Sequence, residues 1–162
     1  PGYSYMPVDL SPMYNGMSAE HPMYTEQVVR YDAGGSVYFP APSMLFGPQN
    51  YMDWWHGVTI PPEALREDLR ISMLAPVPDY AIVEYGPHPY EFECDVQIEL
   101  SYQYANLASL EAEPADLVIM YWNGTLGEYE EIPSTLNIQD GKLYGVTNHF
   151  SRYIIASGRG NE

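Results

Sequence analysis

The chain has 162 residues, 46% of them hydrophobic, which suits one domain with one hydrophobic core and excludes disorder of the whole. Twenty-two acids against six bases leave a formal charge of −16, so the chain lacks the cationic surface that nucleic acid or an anionic membrane would need. No run of about eighteen apolar residues occurs, so no membrane insertion is expected.

In chain order, residues 1–24 stand apart. They hold Pro1, Pro7, Pro12 and Pro22 among methionines and tyrosines. Proline removes backbone donors and fixes φ, so the segment reads as an extended arm rather than a helix or central strand. Methionine and tyrosine are adhesive side chains, unlike the Gly/Ser mix of a flexible linker, so the arm is expected to lie on a surface, its own domain's or a neighbour's. Residues 25–157 carry strand signals. Gln27–Tyr31 leads through Asp32-Ala33-Gly34-Gly35 into Ser36–Phe39, and a proline-rich loop then ends at Trp54-Trp55. Gly57–Ile60 is a short strand stopped by Pro61-Pro62, Glu63–Glu67 is expected to form one helical turn, and Leu69–Leu74 alternates. Glu91 to Leu100 is the clearest strand. Phe92, Cys94, Val96, Ile98 and Leu100 are expected on a dry face, with Glu91, Glu93, Asp95, Gln97 and Glu99 on a wet one. Asp116–Trp122 reads as a central strand. Glu128–Ile132, Thr135–Ile138, Lys142–Val146 and Tyr153–Ala156 complete the set, with turns at Asn123-Gly124 and Gln139-Asp140-Gly141. About nine or ten strands at this spacing predict an all-β, antiparallel β-sandwich, followed by a polar tail over 158–162.

Three segments also resemble a known domain. Gly34-Gly35-Ser36-Val37 with Gly57-Val58-Thr59-Ile60-Pro61-Pro62-Glu63-Ala64-Leu65, then Val83-Glu84-Tyr85-Gly86-Pro87-His88 with Phe92 and Val96, then His149-Phe150-Ser151-Arg152-Tyr153, are similar in kind and order to signatures of the zona-occludens and netrin-receptor domain. Its bacterial surface members match best. Glu63 departs from the resembling signature, which often has glycine there, and Pro40 to His56 is a long insertion. The resemblance implies a β-sandwich used for protein–protein attachment. It also implies a possible self-cleavage between Phe150 and Ser151, with Ser151 as nucleophile and His149 as base. The alternative for these residues is structural, with His149 and Ser151 bonding backbone and Phe150 filling the core.

Other chemistry has weaker signals. His21, His56, His88 and His149 lack ligand spacing, so no metal or other cofactor is expected, and calcium has no spaced carboxylate loop to support it. Cys94 is the single cysteine and is expected buried and inert. Glu91 and Glu93, about 7 Å apart on one face, read as a solvated or interface pair rather than a glycosidase pair. No nucleophile–base–orienter set for turnover is recognisable, so the expectation is a non-enzymatic protein. Its first reading is a secreted or cell-surface structural protein that forms homo-oligomers or homopolymers. In this reading the arm docks on a neighbouring sandwich through Tyr3, Tyr5, Val8 and Leu10, by strand addition into a filament. A start at Pro1 rather than Met fits removal of a secretory leader. The second reading is a glycan- or protein-binding module that uses Trp54 and Trp55.

Overall fold

A computed structural model describes residues 7, 22–40, 54–77, 80–88, 90–102, 107 and 113–157. Eleven strands run through them: β1 (Met23–Val29), β2 (Gly35–Pro40), β3 (Trp54–Ile60), β4 (Leu69–Ala75), β5 (Ile82–Gly86), β6 (Glu91–Ser101), β7 (Leu117–Asn123), β8 (Glu128–Ile132), β9 (Ser134–Asn137), β10 (Lys142–His149) and β11 (Arg152–Ser157). They form a six-stranded sheet ordered β1-β4-β5-β11-β7-β8 and a five-stranded sheet ordered β2-β3-β6-β10-β9. Every pairing is antiparallel. The predicted antiparallel β-sandwich is therefore the observed fold.

Alternation positions the core. Val83 and Tyr85 of β5, Ile119 of β7 and Tyr153 and Ile155 of β11 point inward from one sheet, and Val58, Ile98 and Leu143 from the other. Their buried faces remove apolar surface from water at about 25 cal/mol per Å². Strand β5 went unpredicted as a strand because its five residues sit between turns and carry only two fully apolar side chains. Glu63–Glu67 forms turns and bends rather than a helical turn; the described helical geometry is a three-residue 3-10 turn, Pro114–Asp116. The predicted arm boundary at residue 24 falls inside β1.

Strand β6 corrects two further expectations. Its ladder with β10 shifts register: Thr147 faces Val96, but His149 faces Glu91. Five steps on one strand thus match two on the other, and the ladder is interrupted over residues 92–95. Cys94 lies in this bulge and is exposed, not buried. The four carboxylates do not form one wet line either. Glu99 is buried, where it accepts a bond from the Tyr38 hydroxyl and lies 3.8 Å from Lys142 Nζ, and Glu93 pairs with Arg66 at 2.9 Å.

The two glycine-bearing motifs meet in space. Gly34 closes the turn after β1 at φ +69°, and a Cβ there would lie 2.3 Å from the Ile60 carbonyl oxygen. Glu63, whose amide donates to the Tyr31 carbonyl at 2.8 Å, has φ 68°, a left-handed value that favours glycine. It is the position where the resembling signature often has glycine. Urea unfolding should show Gly34→Ala destabilised by about 2 kcal/mol or more, and Glu63→Gly stabilised by about 0.5–1 kcal/mol. A neutral Gly34→Ala would contradict the packing described.

Candidate functional site

The chain leaves the five-stranded sheet at His149, the last residue of β10, and joins the six-stranded sheet at Arg152, the first of β11. Phe150 and Ser151 make the crossing. An aromatic side chain between two sheets belongs in the core, and Phe150 is 1% exposed. Its ring centroid lies 4.7 Å from that of Phe92, edge-on, and 5.5 Å from that of Tyr85, stacked.

A buried crossing must satisfy its backbone, because no ladder runs through it. The Phe150 amide donates to the Tyr90 carbonyl at 3.0 Å, and the Ser151 carbonyl accepts from the Tyr85 amide at 3.1 Å. His88 Nδ1 lies 2.8 Å from the Phe150 carbonyl oxygen. A carbonyl only accepts, so Nδ1 carries the proton. The buried Ser151 hydroxyl donates to the Trp122 carbonyl at 2.9 Å. Behind the crossing, the Tyr153 hydroxyl donates to the His149 carbonyl at 2.7 Å and sits 2.9 Å from Thr147 Oγ1.

The two residues of the self-cleavage reading thus have separate partners. His149 Nδ1 lies 3.2 Å from Thr147 Oγ1 and 3.4 Å from Asn148 Oδ1, and its ring meets Tyr121 edge-on at 4.7 Å. Burial holds the His149 pKa below the usual imidazole value; Glu91 opposes that shift and His88 adds to it. The imidazole is therefore more neutral than an ordinary histidine, the form a base requires. Its hydrogen bonds go to Thr147 and Asn148 rather than to Ser151.

A cavity of about 330 Å³ opens beside the crossing, lined by Glu84, Tyr85, His88, Trp122, Ser151 and Arg152. Glu84 and Arg152 face each other across β5 and β11 and form an ion pair at 2.9 Å, and Trp122 is 40% exposed. Sequence reading missed His88 and Trp122 as members of this corner. Their only signal was a histidine after a Gly-Pro pair and a tryptophan ending a strand.

The other predicted site residues are placed elsewhere. Trp55 is 1% exposed, stacked on the His56 ring at 4.0 Å and 6.2 Å from Phe39, so it is core and no surface platform. The cause is a bulge in β3: Tyr38 faces Gly57 but Pro40 faces Trp54, and the extra residue turns Trp55 inward. The Trp54 side chain and Tyr3, Tyr5, Val8 and Leu10 lie outside the described residues. Glu91 and Glu93 are both exposed. No group of three or more His, Cys, Asp or Glu among the described residues could hold a metal ion. No described helix is long and apolar enough to cross a membrane.

His56, on the same bulge, is fully buried. The Ser101 amide donates to its Nδ1 at 3.0 Å, so Nε2 holds the proton, and among the described residues it has no acceptor. Burial, with a smaller contribution from the Lys142 charge, lowers the His56 pKa to about 3. No family model matches the chain, and no curated protein matches it.

The unfolded chain takes up the His56 proton near pH 6.5, the folded chain only near 3. In between, the unfolded form binds more protons, so this contribution is complete above pH 6.5 and is lost as the pH falls towards 3. By pH 5 the loss reaches about 2 kcal/mol. Asn at position 56 offers an amide oxygen where Nδ1 sits and does not titrate. Urea unfolding at pH 7 and pH 5 should show His56→Asn losing about 2 kcal/mol less than the parent over that interval. Equal losses would show that His56 does not titrate in this way.

Proposed function

We propose that the chain is a non-catalytic extracellular assembly protein, a β-sandwich of zona-occludens and netrin-receptor type whose N-terminal arm docks on a neighbouring sandwich. The observation that carries this reading is the state of the sheet edges. Unpaired edges are templates for association, and proteins normally guard them with charge, proline or brevity. Strand β8 carries Glu128, Glu130 and Glu131, β9 has four residues, and β2 ends at Pro40. Strand β1 has seven residues and one carboxylate, Glu26, which Arg70 neutralises at 3.1 Å. Tyr24 is 58% exposed and Val28 48%. The least guarded edge is thus the strand that the arm runs into. A neighbour's extended segment adding here would be a head-to-tail contact, which closes a ring or propagates as a filament.

A second reading, a ligand-binding surface, is supported by the cavity beside Ser151, where Trp122 offers an aromatic face next to Glu84 and Arg152. It takes the place of Trp54 and Trp55 as the binding alternative.

The assembly reading predicts that deleting residues 1–21, which leaves β1 whole, yields a folded monomer by light scattering under conditions where the full chain associates. Normal association of the shortened protein would overturn it.

A further inference from the structure

Residues opposite one another in an antiparallel ladder place their side chains on the same side of the sheet, so partners across several strands make one row. Arg152 of β11 faces Glu84 of β5, and Trp122 of β7 faces Tyr129 of β8. Tyr153 faces Tyr121 between β11 and β7, so one step further brings Arg152 level with Trp122. Glu84, Arg152, Trp122 and Tyr129 thus cross four strands in one row, on the side away from the inter-sheet core that Tyr85 and Tyr153 fill. The next row on that side is apolar. Ile154 faces both Ile82 and Met120, and Met120, Ile154 and Ala156 form a second apolar cluster apart from the inter-sheet core. The charged pair therefore stands at the end of the sheet, beside the cavity that His88 and Ser151 also line. Its volume of about 330 Å³ lies at the lower end of the range for small-molecule sites, about 300–1,000 Å³.

Four side chains give the cavity its chemistry. Trp122 supplies an exposed aromatic ring, braced edge-on by Tyr129 at 5.1 Å between centroids. Glu84 and Arg152 pair through Oε2 and Nη2 at 2.9 Å, with side chains 36% and 43% exposed. A carboxylate and a guanidinium joined by one bond keep further acceptors and donors for a ligand. His88 donates from Nδ1 to the Phe150 carbonyl, so in the neutral ring Nε2 is an acceptor.

This set selects by exclusion. An anion would meet Glu84 inside the cavity and a net charge of −16 around it, with Arg152 already neutralised. A cation would meet Arg152. A wholly apolar ligand would take the ion pair out of water without hydrogen bonds to replace it. An extended peptide held by its backbone needs an unpaired strand edge, and β5, β11 and β7 are paired on both sides. A neutral ring with an apolar side and several hydroxyls meets every group. Its hydroxyls donate to Glu84 and His88 and accept from Arg152, and its C–H groups pack on Trp122.

We propose that the cavity beside Ser151 binds one neutral sugar ring, packed on Trp122 and hydrogen-bonded by Glu84, Arg152 and His88. The inference rests on the ligand-binding reading and names its ligand class; arm docking is independent of it.

The test follows the isotope-labelled full-length chain by NMR during titration with the methyl glycosides of glucose, galactose, mannose, xylose and N-acetylglucosamine. Acetate, choline and N-acetylglycinamide serve as anionic, cationic and amide probes. A ring of about thirteen heavy atoms at the usual efficiency binds with a dissociation constant of about 1 mM. Saturable shifts of the Trp122 indole and Arg152 side-chain N–H signals are expected with at least one glycoside, and none with the other probes. Trp122→Ala and Glu84→Ala should each weaken that binding about tenfold or more, read at amides around the cavity, with spectra elsewhere unchanged. Saturation by acetate, choline or the amide in place of the glycosides would overturn the sugar assignment and keep a ligand-binding cavity. No response of Trp122 to any probe would overturn both. Glycoside shifts that survive both substitutions would overturn the seat. Binding about tenfold tighter for oligosaccharides of the responding sugar marks a glycan chain as the source, and equal binding marks the free sugar; either supports the site.

Discussion

Everything in this sandwich hangs on the crossing at Phe150–Ser151, where two residues carry the chain from one sheet to the other through dry space. A crossing without ladder partners strands backbone groups, and each costs about 1–3 kcal/mol if left unpaired. Here the Phe150 amide, the Ser151 carbonyl and the Phe150 carbonyl meet Tyr90 before β6, Tyr85 on β5 and His88 on the loop after it, and the serine hydroxyl meets Trp122 on β7. The corner therefore ties both sheets together while Phe150 fills the space between them. A histidine, a phenylalanine and a serine in that order meet these demands without any need for reaction.

The composition finds a physical explanation in the same structure. With so few bases, the carboxylates need other donors, and tyrosine supplies them. Tyr24 donates to Glu26, Tyr38 to Glu99, Tyr121 to Glu130 and Tyr144 to Asp140. Buried tyrosines instead meet backbone: Tyr85 donates to the Gly57 carbonyl at 2.9 Å and Tyr153 to that of His149. A phenolic ring serves core and acid at once, packing its face and donating from its tip. The surplus of acids and the surplus of tyrosines are thus one feature.

The fold was legible because alternation over β6, the apolar run of β7 and the glycine turns are local signals. What escaped was set by register. Bulges in β3 and β6 turned Trp55 inward and Cys94 outward, and nothing in the residues themselves marks a bulge. Glu99 looked like one more wet carboxylate because its partners Tyr38 and Lys142 lie on β2 and β10, far away in sequence. For the candidate site, His149-Phe150-Ser151 was visible as a motif, while His88 and Trp122 became part of it only through tertiary packing. The second apolar cluster was invisible for a similar reason: Ile154 and Ile155 are identical in sequence terms, and only the sheet decides that Ile155 faces the inter-sheet core and Ile154 the opposite side.

The account's central claim is that the Phe150–Ser151 corner is a joint and not a reactive bond. Denaturing mass spectrometry of purified protein, repeated after days at pH 7, tests it most directly. The account predicts one species with the mass of the full 162-residue chain. A pair of fragments ending at Phe150 and beginning at Ser151 would contradict it.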